Sequence, residues 1–172
     1  MNGDARADQL IAELGLKPHP EGGHFREIFR SARQVSPSGD RGTRSALTVI
    51  FFLLRAGEVS RLHRVVSDEA WHFQEGDPLD LQWWLSEDDR VERRRLGPVA
   101  VEREDRPTAV VPAGAWQGAR TTGRFTLVAC TVGPGFDFED FELIDAAGAL
   151  ASTLRTRHPE LRPFLEAPSV SA

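Results

Sequence analysis

At 172 residues the chain is long enough for one domain with a proper core, and its net charge of −5 carries no basic block of the kind nucleic acid needs as a main partner. The lone Cys130 excludes an intrachain disulfide, the absence of Tyr excludes tyrosine-dependent acid–base chemistry, and no run of 18 apolar residues could span a membrane as a helix. The polar start, Met1-Asn2-Gly3-Asp4, lacks the basic-then-apolar pattern of a secretory signal, so a cytoplasmic protein with no membrane partner is expected.

Leu10, Ile11 and Leu14 fall at helical spacing within Ala7 to Leu16, and Gly15 stands near the end, so a short helix is expected there. Pro18-His19-Pro20-Glu21-Gly22-Gly23 forbids regular structure and makes a tight loop. His24 to Arg30 reads as a strand, and the Ser-, Pro- and Gly-rich stretch from Gln34 to Arg44 as a mobile loop. Leu47 to Leu54 is apolar on both faces, which calls for cover on each side, by the core and by a second sheet or subunit; a homodimer is expected on that ground. Strands are expected next at Ser60 to Val66, Ala70 to Gln74, Leu79 to Leu85, Arg90 to Leu96, Thr108 to Val111 and Phe125 to Val132, with turns at the Gly, Pro and Asp clusters between them. Neighbours Trp83 and Trp84 must point to opposite faces. The tail from Asp140 to Leu165 permits helix in pieces broken by Pro159 and Pro163, and Glu166 to Ala172 reads as disordered. Short strands at regular spacing mean an all-β, antiparallel sandwich or barrel, flanked by a short N-terminal helix and a short C-terminal helical segment. The whole chain, 1–172, is read as a single domain with a core from about 10 to 143, a helical segment over 144–165 and a flexible tail over 166–172.

Chemistry concentrates in two stretches. The first runs from Gly57 through His63, Val65 and Glu69 to Gly76; the second is Pro112-Ala113-Gly114-Ala115-Trp116-Gln117. Alternation puts Arg61, His63 and Val65 on one strand face, and Glu69, Trp71 and Phe73 on one face of the next, with His72 opposite. An imidazole, a carboxylate and a carboxamide can thus meet in one barrel.

The first stretch resembles the first signature of the cupin superfamily at every spacing, with Val65 in place of the second His. The second resembles the second signature, with Gln117 in place of its His. Six segments in order, from Pro18–Gly23 through Asp68–Phe73 and Val111–Gln117 to Pro134–Phe141, resemble the bacterial, plant and fungal family called cupin family 5. The resemblance implies an RmlC-like jelly roll, an antiparallel double-stranded β-helix, usually dimeric, and leaves the reaction open. It places His63, Glu69 and Gln117 inside the barrel, where a buried acid or imidazole needs a compensating partner.

Three readings of that site stand side by side. In the first, His63 and Glu69 perform acid–base chemistry of isomerase, epimerase or lyase type on a small polar molecule, sugar-like or sugar-nucleotide-like. In the second, His63, Glu69 and Gln117 hold a divalent metal (Fe, Ni, Mn or Zn), an incomplete set because Gln is a weak neutral ligand. In the third, the three residues form a satisfied network in a protein that binds or senses a small-molecule ligand without chemistry. Trp71 and Phe73 would stack on the ligand, Arg61 would anchor an anion, and Gln117, Glu21 and His24 would complete the binding set.

Overall fold

Strands that alternate apolar and polar side chains bury their apolar faces by stacking two sheets. The computed structural model describes residues 3–39, 41–99 and 104–166. Helix α1 (Gly3–Leu14) leads into β1 (Lys17–Pro18), β2 (His24–Arg30), β3 (Gln34–Val35), β4 (Arg44–Ser45), β5 (Thr48–Arg55), β6 (Val59–Val65) and β7 (Asp68–Gly76). Then come β8 (Leu79–Leu85), β9 (Arg90–Leu96), β10 (Thr108–Val111), β11 (Trp116–Thr121), β12 (Phe125–Gly133), β13 (Phe141–Leu143), helix α2 (Ala149–Arg157) and a 3-10 segment, Pro159–Phe164. One sheet has the order β1-β2-β5-β12-β7-β10 and the other β13-β6-β11-β8-β9. Every ladder between these named strands is antiparallel. This is the all-β antiparallel sandwich that the strand pattern predicts, in the jelly-roll form that the resemblance implies.

The space between the sheets is filled from both sides: Phe52, Leu54, Trp71, Val128 and Cys130 from the first, Leu79, Leu81, Trp83 and Ala119 from the second. Trp84, one residue on, lies on the outer face among Leu62, Trp116, Leu154, Leu161 and Phe164, so the C-terminal helical pieces cover the second sheet. The outer face of the first sheet is covered by α1, whose Ala7 and Leu10 pack on Leu53, Phe125 and Leu127. The chain's own helix therefore covers one end of the outer face of β5, at Leu53 and in part Phe51, while Val49 and its neighbour Phe29 further along stay partly or largely exposed.

Two local expectations differ from the structure. Trp116–Thr121 is not marked as a strand in the sequence, because Gln, Gly and Ala carry weak strand preference. It pairs with β6 on one side and β8 on the other, in the middle of its sheet, where cross-strand packing outweighs propensity. Gly118 is required there: a Cβ would come within 2.8 Å of the Phe164 ring. The ends of the segment between β3 and β4 are anchored, by the β3–β4 ladder and by Arg44, whose guanidinium donates to both carboxylate oxygens of Asp140. Of the tail read as disordered, residues 167–172 lie outside the described residues.

Candidate functional site

Neighbouring strands β7 and β12 of one sheet, β6 of the facing sheet and one loop bring the chemistry together. On β6 the inward positions are His63 and Val65; on β7 they are Glu69 and Trp71; on β12 they are Cys130 and Val132. The loop between β1 and β2 adds His19 and Glu21. All of these line one cavity of about 200 Å³. Its remaining wall is apolar, with Phe25, Ile50 and Phe52, and its outer end is framed by Phe136, Phe138 and Phe141 beside the Arg30–Glu27 ion pair.

The loop enters the barrel because its glycines permit it. Gly22 has φ +114°, and a Cβ on it would lie 2.2 Å from the Val59 carbonyl oxygen. The Arg61 backbone N–H donates to the Glu21 carbonyl at 2.8 Å, and the Arg61 guanidinium donates to the Pro20 carbonyl at 3.0 Å. Arg61 thus fastens the loop and does not line the cavity.

Glu21, 6 % exposed, is the centre of the buried end. One carboxylate oxygen accepts from the Ser60 hydroxyl at 2.8 Å. The other lies 3.3 Å from His63 Nε2 and 3.4 Å from His19 Nδ1. His63 Nδ1 is 2.8 Å from the Arg61 carbonyl oxygen, which can only accept, so Nδ1 carries a proton, and in the neutral ring Nε2 is a bare lone pair. The Glu21 backbone N–H donates to His19 Nδ1 at 3.3 Å, which fixes that ring in the opposite tautomer. Burial pushes the Glu21 carboxyl up to about 8, against the pull of Ser60 and Arg61. Burial, reinforced by His63, lowers His19 to about 4, and burial lowers His63 as well. All three directions favour neutral groups, with the Glu21 proton facing His63 Nε2.

Glu69 is the second buried acid. Its Oε2 accepts from the Gln117 amide at 2.6 Å, and the Gln117 carbonyl accepts from Trp71 Nε1–H at 3.0 Å. Burial raises the Glu69 carboxyl to about 7; Glu21 adds to the rise, while His63, Gln117 and the Cys130 thiol oppose it. Burial likewise pushes the Cys130 thiol well above its ordinary value, which makes it a donor to Glu69 rather than a nucleophile.

Of the residues singled out in the sequence, His63, Glu69, Trp71 and Glu21 line the cavity. Gln117 stands behind Glu69 as a bracket between it and Trp71. Phe73 packs against the core further along β7, away from the cavity. His24 pairs with Leu53 on the outer face of the first sheet, its Nδ1 3.8 Å from Glu58. His72 is also outside, against the Thr108 hydroxyl at 3.2 Å. A metal held by His63, Glu69 and Gln117 does not fit these donors, since the Gln117 oxygen is taken by an indole N–H and Val65 presents only methyl groups. Among the described residues no other group of three His, Cys, Asp or Glu side chains is placed to hold one.

Neither Ser60 nor Cys130 stands among the candidate residues drawn from the sequence. Ser60 gave a signal only in hindsight of the pairing between loop and strand. Cys130 lies an even number of residues from inward-facing Val128, which strand alternation could have marked.

A family model described as "Cupin superfamily (DUF985)" matches residues 8–144. The chain belongs to this cupin family. Two solved structures resemble it along nearly their whole length. A hypothetical protein from Leishmania major is 34% identical with a TM-score of 0.77, covering 94% of this chain and 97% of that one. A protein from Shewanella oneidensis is 34% identical with a TM-score of 0.78, covering 96% and 98%. More distantly, oxalate decarboxylase from Bacillus subtilis shares the fold at 11% identity and a TM-score of 0.56, over 81% of this chain and 33% of that one. No curated protein matches the chain. Among the described residues no helix of this cupin is long and apolar enough to cross a membrane.

Proposed function

We propose that this cupin is an acid–base enzyme of isomerase, epimerase or lyase type, acting on a small molecule enclosed in the barrel. The observation that supports it best is the convergence of one oriented imidazole, His63, and two buried carboxyls, Glu69 and Glu21, on a single apolar-walled cavity. Glu69, with its carboxyl raised to about 7, is divided between acid and base near neutral pH, the range in which proton transfer in both directions is efficient. In this reading the Glu69 carboxylate removes a proton from a carbon beside a carbonyl, and the His63 side of the cavity returns one. Neither step calls for a tyrosine.

The cavity narrows the substrate. About 200 Å³ is below the ~300–1,000 Å³ of pockets that enclose drug-sized ligands. A single ring or a short chain with one carbonyl fits, and a nucleotide attached to it would have to lie outside, against the exposed Phe138. At the mouth Arg30 and Glu27 cancel each other and Asp137 adds a negative charge, which suits a neutral body and disfavours an anion.

The test is carbon-bound hydrogen exchange in D2O, followed by proton NMR, over a panel of small aldoses, ketoses and lactones. Wild-type protein exchanges at least one of them, and His63→Ala and Glu69→Gln stop the exchange while keeping the fold. A ligand that raises the melting temperature yet neither exchanges nor changes would instead mark a binding or sensor protein. Full exchange by both variants would remove these residues from the chemistry.

A further inference from the structure

The cavity holds one group that the proposed chemistry does not yet employ. Glu21 belongs to neither of the two cupin signatures that the sequence resembles, and it reaches the barrel from a loop. It is as buried as Glu69, and its two oxygens are already partnered by protein. Ser60 supplies an O–H to one oxygen at 2.8 Å; the other faces His63 Nε2 at 3.3 Å and His19 Nδ1 at 3.4 Å. The Glu21 backbone N–H makes His19 Nδ1 a lone-pair position, and the proton that the Arg61 carbonyl holds on His63 Nδ1 leaves Nε2 a lone pair in the neutral ring that burial favours. A carboxylate oxygen against two bare nitrogens would be three acceptors with no hydrogen between them. One proton on that oxygen resolves the contact.

We infer that Glu21 is a positioning residue that stores a proton for His63, forming with His19 and Ser60 a relay at the buried end of the cavity. This rests on the acid–base reading for its use in turnover, although the relay itself does not. In turnover the Glu21 O–H bond breaks as the His63 Nε2–H bond forms. The resulting carboxylate is held by the Ser60 hydroxyl, and the imidazolium gives its proton to the substrate. Glu69 gains from the substrate the proton that Glu21 has lost, so the total in the cavity is unchanged, and exchange with solvent after release restores the start. The charged and titratable groups that face this proton are His19 from the loop, Arg61 and His63 from β6, Glu69 from β7 and Cys130 from β12. Of these only Arg61 carries a fixed charge, and it is turned toward Pro20.

The relay can be read without any substrate, by long-range proton–nitrogen NMR of protein labelled with 15N-histidine between pH 5.5 and 9.5 (roughly the span around a perturbed buried carboxyl). At pH ~7 the His63 ring shows the Nδ1–H tautomer and the His19 ring the Nε2–H tautomer, both neutral. A single step on the alkaline side of neutrality then moves His63 Nε2 and His19 Nδ1 together, and Glu21→Gln abolishes it. Independent titration of the two rings at the ordinary imidazole value, or a step that survives Glu21→Gln, overturns the relay. If that variant does not fold, Ser60→Ala serves: loss of its O–H destabilises the carboxylate, so the step moves to higher pH, and an unmoved step overturns the relay. Should the step appear as described while no small molecule exchanges in D2O, the relay stands and the enzymatic reading falls.

Discussion

Gln117 shows how a single side chain can sit at a signature position and serve a different end. Its amide spans the buried gap between the Glu69 carboxylate and the Trp71 indole, donating to one at 2.6 Å and accepting from the other at 3.0 Å. Removing it strands two buried polar groups at once, each of which costs about 1–3 kcal/mol when unsatisfied. Gln117→Ala is therefore expected to lose roughly 2–5 kcal/mol of stability in chemical denaturation, after some relief by Glu69 keeping its proton. It should also raise the Glu69 carboxyl further, because the amide donor is one of the groups holding it down. Glu69→Gln with Gln117 intact is the milder change, since a neutral amide can still accept from Gln117. Elemental analysis belongs beside both: a bound metal that disappears with Gln117→Ala would contradict the bracket geometry.

At the scale of elements, the loop from Pro18 to Gly23 decides whether the cavity has a buried end. It is held by Arg61 on two carbonyls and by the close approach of Gly22 to Val59. Gly22→Ala places a methyl group against a backbone oxygen at a positive φ, a strain of order 1–3 kcal/mol that the loop can relieve only by leaving. Faster amide exchange at residues 19–23 and a lower melting point are expected, with α1 and β8 unaffected; unchanged exchange would mean that the loop is not held there. Much of this level was legible. β8, β9 and β10 follow the alternation of their sequences to the residue, and the split of Trp83 from Trp84 follows from period 2 alone. The spacing from His63 to Glu69 put both on inward faces. What could not be read is non-local. Strand β11 owes its existence to two neighbours rather than to its own residues. The double apolar face of β5 fits helix cover and subunit cover equally well in one dimension. The meeting of Glu21 with His63 crosses 42 positions of sequence that no periodicity links.

For the whole molecule, the buried acids and imidazoles pull stability in opposite directions with pH. Glu21 and Glu69 have folded values raised to about 8 and about 7, above an ordinary carboxyl, so their contribution is full below about pH 4.5 and is lost progressively as pH rises toward 8. His19, lowered to about 4, and His63, lowered too, contribute fully above about 6.5 and lose that contribution as pH falls. Between pH ~6.5 and ~8 only the carboxyl losses remain, so the melting temperature should fall across that window. The double substitution Glu21→Gln with Glu69→Gln should flatten the fall, and a melting temperature that rises through the window in wild-type protein would be inconsistent with buried, proton-holding carboxyls.

The most direct measurement is a 13C NMR titration of the side-chain carboxyls in protein labelled at Glu Cδ, with assignments from Glu21→Gln and Glu69→Gln. Two signals are expected to titrate far above the rest, Glu69 near 7 and Glu21 near 8, while exposed glutamates change at about 4–5. If both carboxyls titrate with the exposed group, the cavity holds two ordinary anions, and the acid–base account of this cupin is contradicted.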